Sequence, residues 1–328
     1  MLLDASHVTS TEPRVPDFFI VGHFKSGTSS LYEMLRSHPQ IFMPDAKEPR
    51  YLAGDMRARY RYRRGPDYPE TFEQYVTLFS PASPNQLVGE ASAGYLWSQT
   101  AASNIAELCP DARIIAILRE PTEFIRSFHI QLLQSHIESK TDLRKALALE
   151  NARRRGRRIP FRSHLPQLLQ YSEQVRYVEQ LRRYHAHFPR ERVLVLVYDD
   201  FRQDNDGVVR RVLRFLDVDD AQPIESSEVK VTRRYVRSQL LDDATYWLPR
   251  GQGAAAGRVA KAAIKSITSR RQRRAAVKLV RGRLVLREPA PADQALMGEL
   301  RARFKPEVVA LSDYLGRDLV AQWGYDRV

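Results

Sequence analysis

Short, fully apolar runs alternate along the chain with stretches of helical period. DFFIVG (17–22) is a buried-strand run that breaks at Gly22, and SSLYEMLRS after it places Leu31, Met34 and Leu35 on one helical face. Residues 71–79 and 98–108 carry helical patterns around QLVGE (86–90), a short strand. ARIIAIL (112–118) is a second apolar strand, followed by a helix that opens at Pro121, where proline suits the first turn. RVLVLVYDDF (192–201) is the third clear strand. Buried strands alternating with helices predict an α/β fold, with a P-loop-like, mostly parallel central sheet covered by helices on both faces. No repeat or linker divides the chain, which predicts one domain over 17–328 behind a flexible lead of 1–16. The C-terminal end reads as three helices, DQALMGELRARF, PEVVALSDYLG and DLVAQW.

Composition adds a location to this picture. With 28% charged and 43% hydrophobic residues, the 328-residue chain has an ordinary soluble make-up. Its one cysteine, Cys109, excludes an intramolecular disulfide and a Cys-rich metal cluster, and suggests a cytoplasmic setting. No apolar run approaches spanning length, and the N-terminus lacks the apolar core of a secretory signal. The net charge is +13, and residues 250–287 alone hold twelve Lys or Arg and no acid. Such a block points to an anionic partner. Its alanine-rich helical pattern fits a packed helix, a gate over the substrate, or peripheral contact with the inner face of a membrane. Nucleic-acid binding is a competing class, but no helix-turn-helix, RNP or zinc-finger signature accompanies the charge.

The chemistry concentrates in VGHFKSGTSS (21–30). A loop leaving a buried strand and entering a helix offers unpaired N–H groups at the positive end of the helix dipole. Gly27 permits close approach, Lys25 brings a point charge, and Thr28, Ser29 and Ser30 offer hydroxyl donors, with Ser26 in the same loop. Gly22 and Gly27 have the Walker A spacing, yet no Lys-Ser/Thr follows. Asp199 and Asp200, at the end of VLVLVY, keep a magnesium-dependent kinase or NTPase in play. Against it, the second strand ends in LREP and presents Arg119, a second anion site at a strand C-terminal end. Ser127 lies eight residues beyond, about two helical turns on. Two such sites suit a nucleotide with phosphates on both sides of its ribose.

These residues resemble the family of sulfotransferases that use 3′-phosphoadenosine 5′-phosphosulfate (PAPS). FKSGTSSL looks like its 5′-phosphosulfate loop, and ILREPTEFIRSF like its 3′-phosphate motif. The resemblance is closer to the heparan-sulfate and bacterial carbohydrate branch than to the phenol and steroid enzymes. It implies that Lys25 contacts the phosphosulfate and assists the departing phosphate, with residues 26–30 as the rest of the cradle. It implies that Arg119 and Ser127 bind the 3′-phosphate, and that the product is adenosine 3′,5′-bisphosphate (PAP), with no metal required.

MPDAKEPRYLAGD resembles the family's acceptor-side motif, which makes Glu48 the catalytic base. Lys47 beside it is expected to hold its pKa down. Glu90, in GEASAGYLW, and His23, inside the loop, are the other candidate bases. The family often has lysine after the glutamate where this chain has Ala91, so Lys47 or Arg50 stands in as a substitute. Tyr95 and Trp97 read either as acceptor-pocket lining or as core. Arg237 and Ser238 resemble a late segment near the nucleotide. His185 and His187 have strand-like metal spacing but sit in a helical segment, which favours a structural role. The expected acceptor is a hydroxyl on a carbohydrate, glycolipid or secondary metabolite.

Overall fold

A computed structural model describes residues 13–56, 68–161, 163–222, 235–236, 286–287 and 291–328. Its backbone contacts define two compact units: Met1–Phe124 with Ser172–Lys230 and Phe304–Arg327, and Ile125–Tyr171 with Val231–Arg303 and Val328.

The first unit is built on a five-stranded parallel sheet of β1 (Phe18–Gly22), β2 (Ile41–Phe42), β3 (Leu87–Ala91), β4 (Arg113–Leu118) and β5 (Val193–Val197), in the order β2-β3-β1-β4-β5. β1 pairs in parallel with β3 on one side and β4 on the other. Helices α1 (Thr28–Arg36), α2 (Phe72–Thr77) and α3 (Ala101–Leu108) connect the first four strands. Phe18 and Ile20 pack on one face with Leu31 and Leu35 of α1, while Phe19 and Val21, which alternate with them, are equally buried on the other. Both faces are therefore covered, as the continuous apolar runs predict.

The sequence misplaces some boundaries. β5 stops at Val197, and Tyr198–Gln203 is already helical. Asp199 and Asp200 thereby fall in a first helical turn, where the dipole favours acids. The helical segment that carries His185, YSEQVRYVEQLRRYHAHF (171–188), is broken at 175–176 into Tyr171–Gln174 and Tyr177–His185. The first two predicted C-terminal helices form one, Gln294–Leu315, which runs through Pro306. β2 is too short to show a period in the sequence.

In the second unit, Pro121–Gln134 (α4, whose first turn belongs to the first unit) is followed by α5 (Leu143–Ala148) and α6 (Glu150–Arg154). Arg153, from the basic cluster at 153–158, is in the core. Its guanidinium meets the Glu138 carboxylate at 2.6 and 2.7 Å, both side chains fully buried. The Tyr171 hydroxyl and the N–H groups of Ser139 and Lys140 also donate to Glu138. Strands Tyr235–Val236 and Leu286–Arg287 pair antiparallel. No described helix is long and apolar enough to cross a membrane. The basic segment at 250–287 lies, apart from two strand residues, outside the described residues, as do Arg237 and Ser238.

Candidate active site

All five strands are parallel, so their C-terminal ends share one edge. The chain leaves β1 for β2, returns through β3, then crosses to β4 and β5 on the far side of β1. The crevice outside β1 and β4 is thus the topological switch point, where open α/β sheets bind ligands. Lys25 and Arg119 lie at the ends of these two strands.

The loop after β1 is set by hydrogen bonds and by one glycine. The β1–β4 register shifts between Ile20 and Gly22, and the His23 N–H then donates to Ile117 O at 2.7 Å. Gly27 caps α1 with φ +89° and has no side chain to bond the first-turn N–H groups. A Cβ at Gly27 would lie 3.0 Å from the Phe201 ring and 3.2 Å from that of Tyr198, so the cradle has no room for one. Arg119 Nη1 donates to the Lys25 carbonyl at 3.0 Å and joins the two anion motifs directly. The guanidinium also stacks 4.7 Å from the Tyr198 ring and pairs with Glu123 at 3.4 Å. Burial, and then the Arg119 charge, lower the Lys25 pKa. Two cations crowded at a helix N-terminus make a site that gains from an anion.

The loop hydroxyls are not equivalent. Ser29 is exposed; Thr28 and Ser30 are 5% exposed. Ser26 is fully buried, and its hydroxyl donates to Phe24 O and its N–H to His23 O at 3.3 Å, so both serve to shape the loop. Ser127 is partly exposed on α4, within the second unit.

The acceptor-side segment lies at the end of β3, beside β1. Glu48 N–H donates to Ala91 O at 2.9 Å, and Arg50 N–H to Ser92 Oγ at 3.1 Å. The Glu48 carboxylate is held between Lys47 Nζ, at 3.1 Å, and the Arg50 guanidinium, and retains 22% exposure. Burial pushes its pKa up, but Arg50 and then Lys47 outweigh this and hold it at about 2. Arg50 also lies 5.8 Å over the Phe24 ring, linking this segment to the phosphate loop. Lys25, Glu48 and Arg50 all have left-handed backbones, with φ of 59°, 60° and 53°. Side chains rarely adopt that region, and such strain gathers at functional sites.

Several candidates fall away. His23 is fully buried among the rings of Phe24, Phe124 and Tyr177. Burial lowers its pKa to about 3, with backbone groups of Gln174 and Phe24 offsetting only part, and neither ring nitrogen makes a hydrogen bond of good geometry. A histidine so placed is not a base for an acceptor. Glu90 is likewise inaccessible at 0% exposure. Tyr95 is core: its hydroxyl donates to Glu90 and accepts from Leu52 N–H. His185 packs beside Tyr314, and His187 is exposed at the helix end. Asp200 is engaged by Arg317 at 2.6 and 2.7 Å and by Gln322, and Asp199 accepts from the Trp323 indole. These acids fasten the C-terminal segment, a role legible only once residues 317–323 are seen beside them.

The chain matches the model of the sulfotransferase family over residues 16–222, well over half its length. It is 27% identical to mouse carbohydrate sulfotransferase 15 over 169 residues, 40% of this chain and 30% of that protein. It is 32% identical over 125 residues to the human bifunctional heparan sulfate N-deacetylase/N-sulfotransferase 3, covering 38% of this chain and 14% of the relative. The chain thus spans less than a third of the length of these curated relatives. A solved sulfotransferase from Alicyclobacillus acidocaldarius superposes with a TM-score of 0.67 at 26% identity, covering 94% of this chain and 98% of that one. The Lys25 loop, Arg119 and Glu48 all lie within the matched region, and the chain belongs to the sulfotransferase family, close to its carbohydrate branch.

Proposed function

We propose that the protein transfers a sulfuryl group from PAPS to an acceptor hydroxyl, with a carbohydrate as the acceptor class. The observation that carries this reading is the hydrogen bond from Arg119 to the Lys25 carbonyl, which fastens two cationic anion sites together at the switch point. The alternative of a magnesium-dependent kinase loses its support once Asp199 and Asp200 are engaged by the C-terminal segment. The heparan-sulfate and carbohydrate names of the relatives support the acceptor class.

The residues fit the donor. The N–H groups of the first turn of α1 suit its 5′ end, beside the Lys25 ammonium. Arg119 suits the 3′-phosphate, with Ser127 taken from the family resemblance. PAPS supplies the sulfuryl group and a phosphate leaving group. Lys25, its proton loosened by burial and by Arg119, donates toward the oxygen on which charge develops. Glu48 remains ionised at neutral pH and accepts a hydrogen bond from the acceptor hydroxyl, orienting its oxygen. A carboxylate held near 2 is a weak base, so it takes the proton late, when the new S–O bond has made that proton strongly acidic. Lys47 and Arg50 hold Glu48 in place and balance the charge of the transferring group.

The test is transfer from sulfur-labelled PAPS to a panel of glycan acceptors, run with variants. Lys25→Ala is expected to abolish transfer and Arg119→Ala to weaken PAP binding chiefly. Glu48→Gln is expected to lose at least about a hundredfold in kcat while PAP affinity holds. Undiminished turnover by Glu48→Gln would remove it as the base.

A further inference from the structure

The acceptor-side segment is stitched to the end of β3 through alternate residues. Glu48 N–H reaches Ala91 O, Arg50 N–H reaches Ser92 Oγ, and Leu52 N–H reaches the Tyr95 hydroxyl at 3.1 Å. The third stitch ends on a carboxyl. Because Tyr95 accepts from Leu52, its own O–H donates onward to Glu90 Oε2 at 3.1 Å, where the Tyr75 hydroxyl also arrives at 2.7 Å. Glu90 is fully buried and its Oε1 meets no partner of good geometry. The neighbouring cations, Lys47 and Arg50, are taken by Glu48.

We propose that Glu90, in its neutral form, is a positioning residue for sulfuryl transfer: through the Tyr95 hydroxyl it fixes the 48–52 segment that carries Glu48 and Arg50. The proposal rests on the sulfotransferase reading and adds a residue to it.

A carboxylate buried with no cation paired to it among the described residues is disfavoured, and the neutral acid still accepts both tyrosine hydroxyls on one oxygen. Burial raises the Glu90 pKa to about 7; hydroxyls of Ser92, Tyr75 and Tyr95 work against this, and the Glu48 charge adds to it. Ionisation puts a second negative charge near Glu48, where Lys47 and Arg50 are already engaged. Drawing in water or shifting the tyrosines relieves that charge, and either movement loosens the Leu52 stitch. The groups facing Glu90 do not titrate in that range. Tyr75 on α2, Tyr95, and Tyr184 on the 177–185 helix are held well above the usual phenol value, chiefly by burial. Cys109 at the end of α3 is pushed up to about 12, and Glu48 lies at about 2.

The experiment measures kcat and KM against pH, together with PAP affinity, for the full chain and three variants. Wild type is expected to lose turnover as pH rises through about 7. Glu90→Gln, which mimics the neutral acid, should recover most of the low-pH rate and lose that alkaline limb. Glu90→Ala and Tyr95→Phe should lower kcat roughly tenfold to a hundredfold with PAP affinity within about twofold. A purely structural role would lower the melting temperature and leave kcat per folded molecule unchanged, and that result overturns the proposal. An unchanged alkaline limb in Glu90→Gln overturns it as well. Should Glu90→Ala fail to fold, Tyr95→Phe, which keeps the ring, decides the same question. Failure of wild type to bind PAP would sink the sulfotransferase reading instead.

Discussion

At the scale of single residues, the site depends on backbone positions that most side chains avoid. Gly27 is the clearest case, with φ +89° and aromatic rings where a Cβ would go. Gly27→Ala is expected to cost about 1–3 kcal/mol of stability and to weaken PAP binding, since the rings of Phe201 and Tyr198 must yield. Denaturant titration and PAP calorimetry on the variant check both. Lys25, Glu48 and Arg50 share the strained region without being glycine. Each is held by a backbone hydrogen bond: Lys25 O accepts from Arg119, Glu48 N–H donates to Ala91, and Arg50 N–H donates to Ser92. Each of these residues stands out in the sequence as a candidate. Their conformation is not legible there, because it is imposed by partners on other strands.

At the scale of elements, the apolar runs showed β1, β3, β4 and β5 because strands buried on both faces carry no alternation to misread. Where a polar residue is satisfied by a distant partner, the local pattern misled. YDDF extended the strand reading because Asp199 and Asp200 look like a metal-binding end, and only Trp323 and Arg317 reveal them as helix-borne anchors. Arg153 stands in the basic run RRRGRR, yet it pairs with Glu138 in the core. Arg153→Met, which leaves the Glu138 carboxylate buried and unpaired, is expected to cost about 3–5 kcal/mol. Urea unfolding of this variant beside Arg154→Met, one residue on, isolates the effect; a loss no larger than that of Arg154→Met would contradict it.

At the scale of the whole molecule, buried titratable groups set opposing slopes of stability against pH. Between the ordinary carboxylate value of 4.5 and about 7, the native state keeps the Glu90 proton that the unfolded chain has lost. This contribution therefore lowers stability as pH rises through that window, by roughly 3 kcal/mol, and is constant above it. His23 works the other way: between about 3 and 6.5 the unfolded chain binds a proton that the buried ring refuses, so stability rises with pH. Glu90→Gln removes only the falling contribution. Its stability relative to wild type should thus increase between about pH 5 and about pH 7.5, a difference that denaturant titration at the two values reads directly. No increase would contradict the neutral, buried carboxyl.

The anion held at the β1 and β4 ends decides what the site does, and thermal unfolding of the full chain identifies it directly. The protein is melted alone, with PAP, and with ATP and magnesium. A ligand bound only by the native state adds about 2.7 kcal/mol at a hundredfold excess over its dissociation constant, enough to move the transition visibly. PAP is expected to raise the melting temperature in wild type and much less in Arg119→Ala, with no shift from ATP and magnesium. A shift with ATP and magnesium and none with PAP would contradict a PAPS site and turn Lys25 into part of a different phosphate chemistry.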